Sequence, residues 1–160
     1  MTFLDYGCVK EFTAAAVEDA RRIMFAALSS DAGALRAELV RQRFIDPHDD
    51  GDPGRLLEWI RIRYGPILRR EPFTIDRAFA EYSVRATVDP SSEWAWLQRR
   101  FNMPADYILL MRINLGLISV LAGLHARQTW RAIAEEFWYD APPSTPLGRR
   151  DATFRAARAA

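Results

Sequence analysis

Three side-chain types are scarce in this chain of 160 residues: there is one cysteine, Cys8, one lysine, Lys10, and two histidines, His48 and His125. A single cysteine excludes an internal disulfide framework and agrees with a reducing compartment. With Lys10 the only lysine among 22 basic residues, the other 21 are arginines. They are spread along the chain, which points to coding composition more than to phosphate recognition. No cysteine or carboxylate stands at metal-ligand spacing beside His125, which argues against a zinc site. The formal charge is only +1, so the chain has no net field to gather a polyanion. The expectation is no nucleic-acid partner, with any anionic contact purely local. An uninterrupted apolar run is also missing. The most hydrophobic stretch, Met103 to His125, carries Arg112 and Asn114 near its middle, whereas a spanning helix wants about 20 nearly unbroken apolar residues. Met1 to Gly7 has neither a basic leader nor an apolar leader segment, and a cytoplasmic chain is expected.

What is abundant is apolar surface: 49% of the residues are hydrophobic, enough for one domain with a core that needs no disulfide or metal. The periodicity is helical, and the expected fold class is mainly α. Thr13 is placed to cap a helix from Ala14 to Leu28, and Asp31 a second one running to about Arg43 with Leu35, Leu39 and Val40 inward. Asp52-Pro53 starts a third helix, which Gly65-Pro66 is expected to end. Thr74 or Asp76 opens a fourth, with Ile75, Ala78, Phe79, Tyr82 and Ala86 on one face. Asp89-Pro90 repeats the Asp-Pro start for a short helix presenting Trp94, Leu97 and Phe101. Pro104 to Ala126 is apolar on almost every face, as in a helix buried at the axis of a helical domain. Thr129 is placed to cap a last helix whose Trp130, Ile133, Ala134, Phe137 and Trp138 form a clean amphipathic face. Residues 1–9 read as a strand-turn, and 141–160 as a Pro-rich loop with a flexible Arg and Ala tail.

Four places could carry chemistry. Asp46, His48, Asp50 and Gly51 partly match a calcium loop, but His48 stands where an oxygen ligand is wanted and Leu57 replaces the bidentate Glu, so a solvated turn with a helix cap is the better reading. Cys8 reads as a small buried hydrophobe, because only Lys10 is near to lower a thiol pKa. Arg112, on an apolar helix, needs a partner such as Asp19, Glu58 or Glu81, or must extend its head to the surface. Leu4-Asp5-Tyr6-Gly7 sets a carboxylate before an aromatic and a glycine at the end of a short strand. Protein kinases hold Mg²⁺ with such an arrangement, the carboxylate serving as a hard oxygen ligand and the glycine allowing the sharp turn.

The order of parts extends that similarity. Phe3-Leu-Asp-Tyr-Gly-Cys-Val9, a helix, Leu35 to Ile45 before an acidic loop, the Pro66 to Phe73 connector, and Met103-Pro-Ala-Asp-Tyr-Ile-Leu-Leu-Met-Arg112 through Leu124 resemble the C-terminal part of the UbiB/AarF family of atypical protein-kinase-like proteins, over about residues 2 to 140. The resemblance implies a helical bundle like the C-terminal part of a kinase-like large lobe. It gives Asp5 the role of metal ligand and, with Gly7, of a cofactor-binding position. It implies ATP and Mg²⁺ as cofactors of the intact protein, neither bound tightly by this chain alone, and a place in isoprenoid quinone (ubiquinone) or lipid metabolism. No catalytic residue is assigned, because the nucleotide-covering loop, the phosphate-pairing Lys with its Glu partner, the family's Lys-x-Gly-Gln segment and the catalytic loop have no counterpart here. Phosphoryl transfer needs positioning from both lobes, so the chain is expected to be inactive alone. The expected partner is a missing N-terminal kinase-like lobe or another protein, with peripheral membrane association left open for the intact protein. A different class also fits the residues: a stand-alone helical interaction module without catalysis. A third, a membrane-surface protein, would use Arg149, Arg150, Arg155 and Arg158.

Overall fold

A computed structural model of the chain describes residues 11–159. Among them the architecture is mainly α: α1 (Ala14–Leu28), α2 (Ala32–Arg41), α3 (Pro53–Leu68), α4 (Arg77–Val88), α5 (Ala95–Arg100), α6 (Ala105–Gly123), α7 (Trp130–Trp138) and α8 (Pro146–Ala159). The two-residue strands β1 (Phe73–Thr74) and β2 (Arg127–Gln128) pair antiparallel, Phe73 with Gln128 and Thr74 with Arg127.

Side-chain oxygens set most helix starts, because each satisfies an amide that the first helical turn leaves without a partner. Thr13 Oγ1 accepts from Ala16 N at 3.2 Å, Asp31 Oδ1 from Ala34 N at 2.8 Å, Asp52 Oδ1 from Gly54 N at 2.9 Å and Asp76 Oδ1 from Phe79 N at 2.8 Å. Asp89 behaves differently from the Asp-Pro start expected of it. Its carboxylate accepts from the amide and hydroxyl of Ser91 and closes a turn, and α5 begins only after Trp94. That double donation by Ser91, the hydroxyl first, holds the Asp89 carboxyl below its usual range.

α3 does not stop at Gly65-Pro66; it runs on to Leu68 with Pro66 inside it and buried. Proline lacks an amide and crowds the preceding turn, but this close to the helix end few backbone bonds remain to be lost. Residues 146–159 are likewise helical, where an irregular tail was expected. Ala and Arg are strong helix formers, Thr145 Oγ1 accepts from Gly148 N, and Arg155 pairs with Asp151 one turn back at 2.8 Å. Propensity and local pairs make this helix without an apolar face to bury.

The core lies among α1, α2, α3, the end of α4 and α5. Leu35, Leu39, Leu56, Ile60, Trp94 and Leu97 are buried there around Trp59, which is 2% exposed. The Trp59 indole donates to the Ala86 carbonyl at 2.7 Å, joining α3 to α4 and satisfying the one polar atom its burial would otherwise orphan. Phe101 meets the Trp59 ring edge-on with centroids 5.0 Å apart, and Phe44 lies tilted against Phe101 at 5.2 Å.

α6 is not the buried axis that its hydrophobicity predicts. Of its residues only Ala122 is among the buried hydrophobics, while Leu117 is 53%, Val120 61% and, at its end, Leu124 71% exposed. The helix packs on α4 along one side. Ile113, Leu117, Val120 and Leu124 share a stripe on the other, at spacings that bring them onto one face. An all-round apolar helix can be buried on every side only if neighbours stand on every side, and the described residues supply them on one.

Candidate functional site

An apolar concavity lies where α7 closes against α3, α4 and α6. Its local cause is the β1–β2 pair: Ile75 N donates to Ala126 O at 2.9 Å and the Trp130 indole donates to Phe73 O at 2.8 Å, so the segment after α6 is pinned to the one before α4. α7 then starts at a fixed place and packs on α3. The cleft between these helices has a volume of about 410 Å³, within the range of small-molecule sites.

All five residues of the amphipathic face of α7 line it: Trp130, Ile133, Ala134, Phe137 and Trp138. None of them is buried, and Phe137 is 63% exposed, so the face covers the cleft without filling it. Leu115, Leu117, Ile118 and Leu121 of α6 line it as well, Leu117 being at once part of the exposed stripe, and Ile75 and Phe79 join them from the α4 side.

Ser83, Asn114 and Arg63, together with the phenol of Tyr64, interrupt this lining. Ser83 on α4 is 1% exposed, and its hydroxyl has no hydrogen-bond partner among the described residues. Such a group is out of water without compensation, a cost of about 1–3 kcal/mol when nothing else occupies the site. The side-chain amide of Asn114 on α6 makes no hydrogen bond with the described residues. Arg63 on α3 lies over the rings of Trp59, at 5.4 Å, and Tyr64, at 5.6 Å, and has no ion-pair partner among the described residues. Among the described residues it is the only charged one lining the cleft.

The positions singled out from sequence lie elsewhere. Asp5 and Gly7, the metal and cofactor positions, fall outside the described residues, as do Cys8 and the 1–9 strand-turn. Arg112 sits on the exposed side of α6, without an ion pair to Asp19, Glu58 or Glu81. Of these acids, Asp19 pairs with Arg41, Glu58 with Arg55 and Glu81 with Arg77. The head of Arg112 reaches water, as the surface alternative required.

The acidic loop is engaged in holding itself together. Asp46 accepts from His48 N, Asp49 accepts from Gly51 N and pairs with Arg100 at 3.3 Å, Asp50 pairs with the same guanidinium at 3.0 Å, and Asp52 caps α3. Arg36 donates to the carbonyls of Pro47 and Asp49. A Cβ at Gly51 would lie 2.6 Å from Asp49 Oδ1, so a larger residue there would make that carboxylate turn away from the Gly51 amide. His125 ends α6 in the left-handed region, at φ 47°, with its side chain exposed. It does the conformational work of a helix-terminating residue.

Sequence periodicity had found the α7 face but not the cleft, and it had missed Ser83 and Arg63. A serine within a helical pattern and one arginine among 21 carry no signal until the fold sets them beside the same wall. Compared with models of protein families, with curated proteins and with solved structures, the chain shows no match.

Proposed function

We propose that this chain is the C-terminal helical part of a UbiB/AarF-like atypical kinase or ATPase, dependent on ATP and Mg²⁺ in the intact protein and inactive by itself. The observation that carries the reading is the order of its segments: Phe3 to Val9 with the Asp5-Tyr6-Gly7 turn, then Leu35 to Ile45 before the acidic loop, then Met103 to Leu124. The mainly α architecture agrees with a large-lobe fragment, and an apolar α6 stripe open to solvent agrees with a chain whose packing partners lie outside it. In this reading Asp5 supplies the oxygen ligand for Mg²⁺ and Gly7 the turn behind it, while α1 to α7 form the scaffold. The groups that cover and pair the phosphates come from the missing lobe, and the whole acts in isoprenoid quinone or lipid metabolism.

Two observations test it. The coding sequence upstream of Met1 should run on in frame and encode a nucleotide-covering loop and a phosphate-pairing Lys; a stop codon there, with a native protein of 18.3 kDa, would overturn the fragment reading. The purified chain should turn over no ATP with Mg²⁺, and turnover abolished by Asp5→Ala would overturn the inactivity.

A second reading, a helical interaction module without catalysis, is favoured by one feature, the exposed stripe Ile113, Leu117, Val120 and Leu124. Contiguous apolar surface of this kind marks contact sites. Charging it with Leu117→Glu and Val120→Lys should then abolish partner binding while leaving the fold intact, as read by circular dichroism.

A further inference from the structure

We propose that the cleft between α3, α4, α6 and α7 binds a small amphiphilic anion: an elongated apolar body, such as a medium-length alkyl chain, ending in a single carboxylate that Arg63 recognises.

The lining selects the body. The two long walls, the α7 face and the Leu115, Ile118 and Leu121 side of α6, are hydrocarbon and aromatic. A water-filled cleft of this lining gains by exchanging water for apolar surface. The polar groups select the head. Arg63 is cationic, half-buried and without an ion-pair partner among the described residues, and no carboxylate lines the cleft to repel an anion. Guanidinium donors match a carboxylate in geometry as well as charge. Asn114 adds a side-chain amide that makes no hydrogen bond with the described residues and is able to donate to an oxygen-bearing group of the occupant, whereas the Ser83 hydroxyl is sealed beneath the surface and offers it no contact. A single cation set in an otherwise hydrocarbon and aromatic lining favours one anionic head on an apolar body over a peptide helix, whose polar groups are spread along its length. The small anion answers both features. This site needs neither Asp5 nor a missing lobe, so it stands independently of the kinase-like reading.

The test is a titration of the full chain, isotopically labelled, with decanoate below its micellar concentration, followed by amide chemical shifts, with decanol as the uncharged control. Saturable shifts are expected at Ser83, Asn114 and Ala134, with a Kd for decanoate well below that for decanol. Arg63→Gln should weaken decanoate roughly tenfold, the loss of one charge-assisted contact, and leave decanol unchanged. Ala134→Leu, which narrows the cleft, should weaken both; if that variant does not fold by circular dichroism, the Arg63→Gln comparison still decides. Absence of saturable shifts in these walls would overturn the proposal. So would equal affinity for decanol and decanoate, or decanoate binding indifferent to Arg63→Gln. Shifts of the same wall residues with protein concentration alone would assign the cleft to a second copy and overturn it as well.

Discussion

The α1–α3 region and the α6–α7 region of this molecule are both rich in apolar side chains and treat them oppositely. In the first, helices of ordinary amphipathic pattern enclose Leu35, Leu39 and Trp59 almost completely. In the second, the most hydrophobic helix of the chain keeps half its circumference in solvent, and α7, the most sharply amphipathic, buries none of its residues fully. Hydrophobicity therefore does not rank the helices by burial here. Burial goes to residues with neighbours on several sides, and α2 and α3 have them: α1 on one flank, α4 and α5 on the other.

The difference can be broken most forcefully at Trp59. Trp59→Ala removes a large buried ring and its hydrogen bond to Ala86, and should cost about 3–5 kcal/mol in urea denaturation. Leu35→Ala, wholly buried on α2, should cost about 2–5 kcal/mol by the same measurement. Asp31→Ala, which strips the cap of α2 without touching the core, should cost about 1 kcal/mol. Leu117→Ala on α6 should stay within about 0.5 kcal/mol. A loss above 2 kcal/mol at Leu117 would show that this face is covered in solution and would erase the contrast.

The smallest effect is one of pH, at the end of α7. Ser144, through its hydroxyl first and its amide second, donates to Glu136 and holds that carboxyl below the usual range. A carboxyl depressed in the folded state binds fewer protons there than in the unfolded chain. Its contribution is therefore complete above the unfolded pKa and disappears as pH falls through the folded one. Thermal melts of the native chain and of Glu136→Gln should differ slightly at pH 6 and converge toward pH 3. A difference that persists unchanged to pH 3 would rule out this titration.

The mainly α class, the starts of α1 to α4 and the α7 face were legible in the residues. Each is a short-range matter: Thr13, Asp31 and Asp76 meet amides three positions on, and Asp52 one two positions on. Asp89 shows where that legibility ends, because Ser91 competes for the same carboxylate and turns a cap into a loop closure. The cleft was hidden for another reason. Arg63, Ser83, Asn114 and Trp130 lie on four helices, and only the pairing of β1 with β2 brings α7 over the other three.

The sequence by itself determined the helical class and where most helices begin, since periodicity and capping depend on neighbours within a turn or two. Only the tertiary structure decided which apolar faces are covered, that α6 is half open, and that, among the described residues, a buried hydroxyl without a hydrogen-bond partner and an arginine without an ion pair border one apolar cleft. Those outcomes depend on contacts between residues tens of positions apart, and composition and spacing hold no record of which distant faces meet.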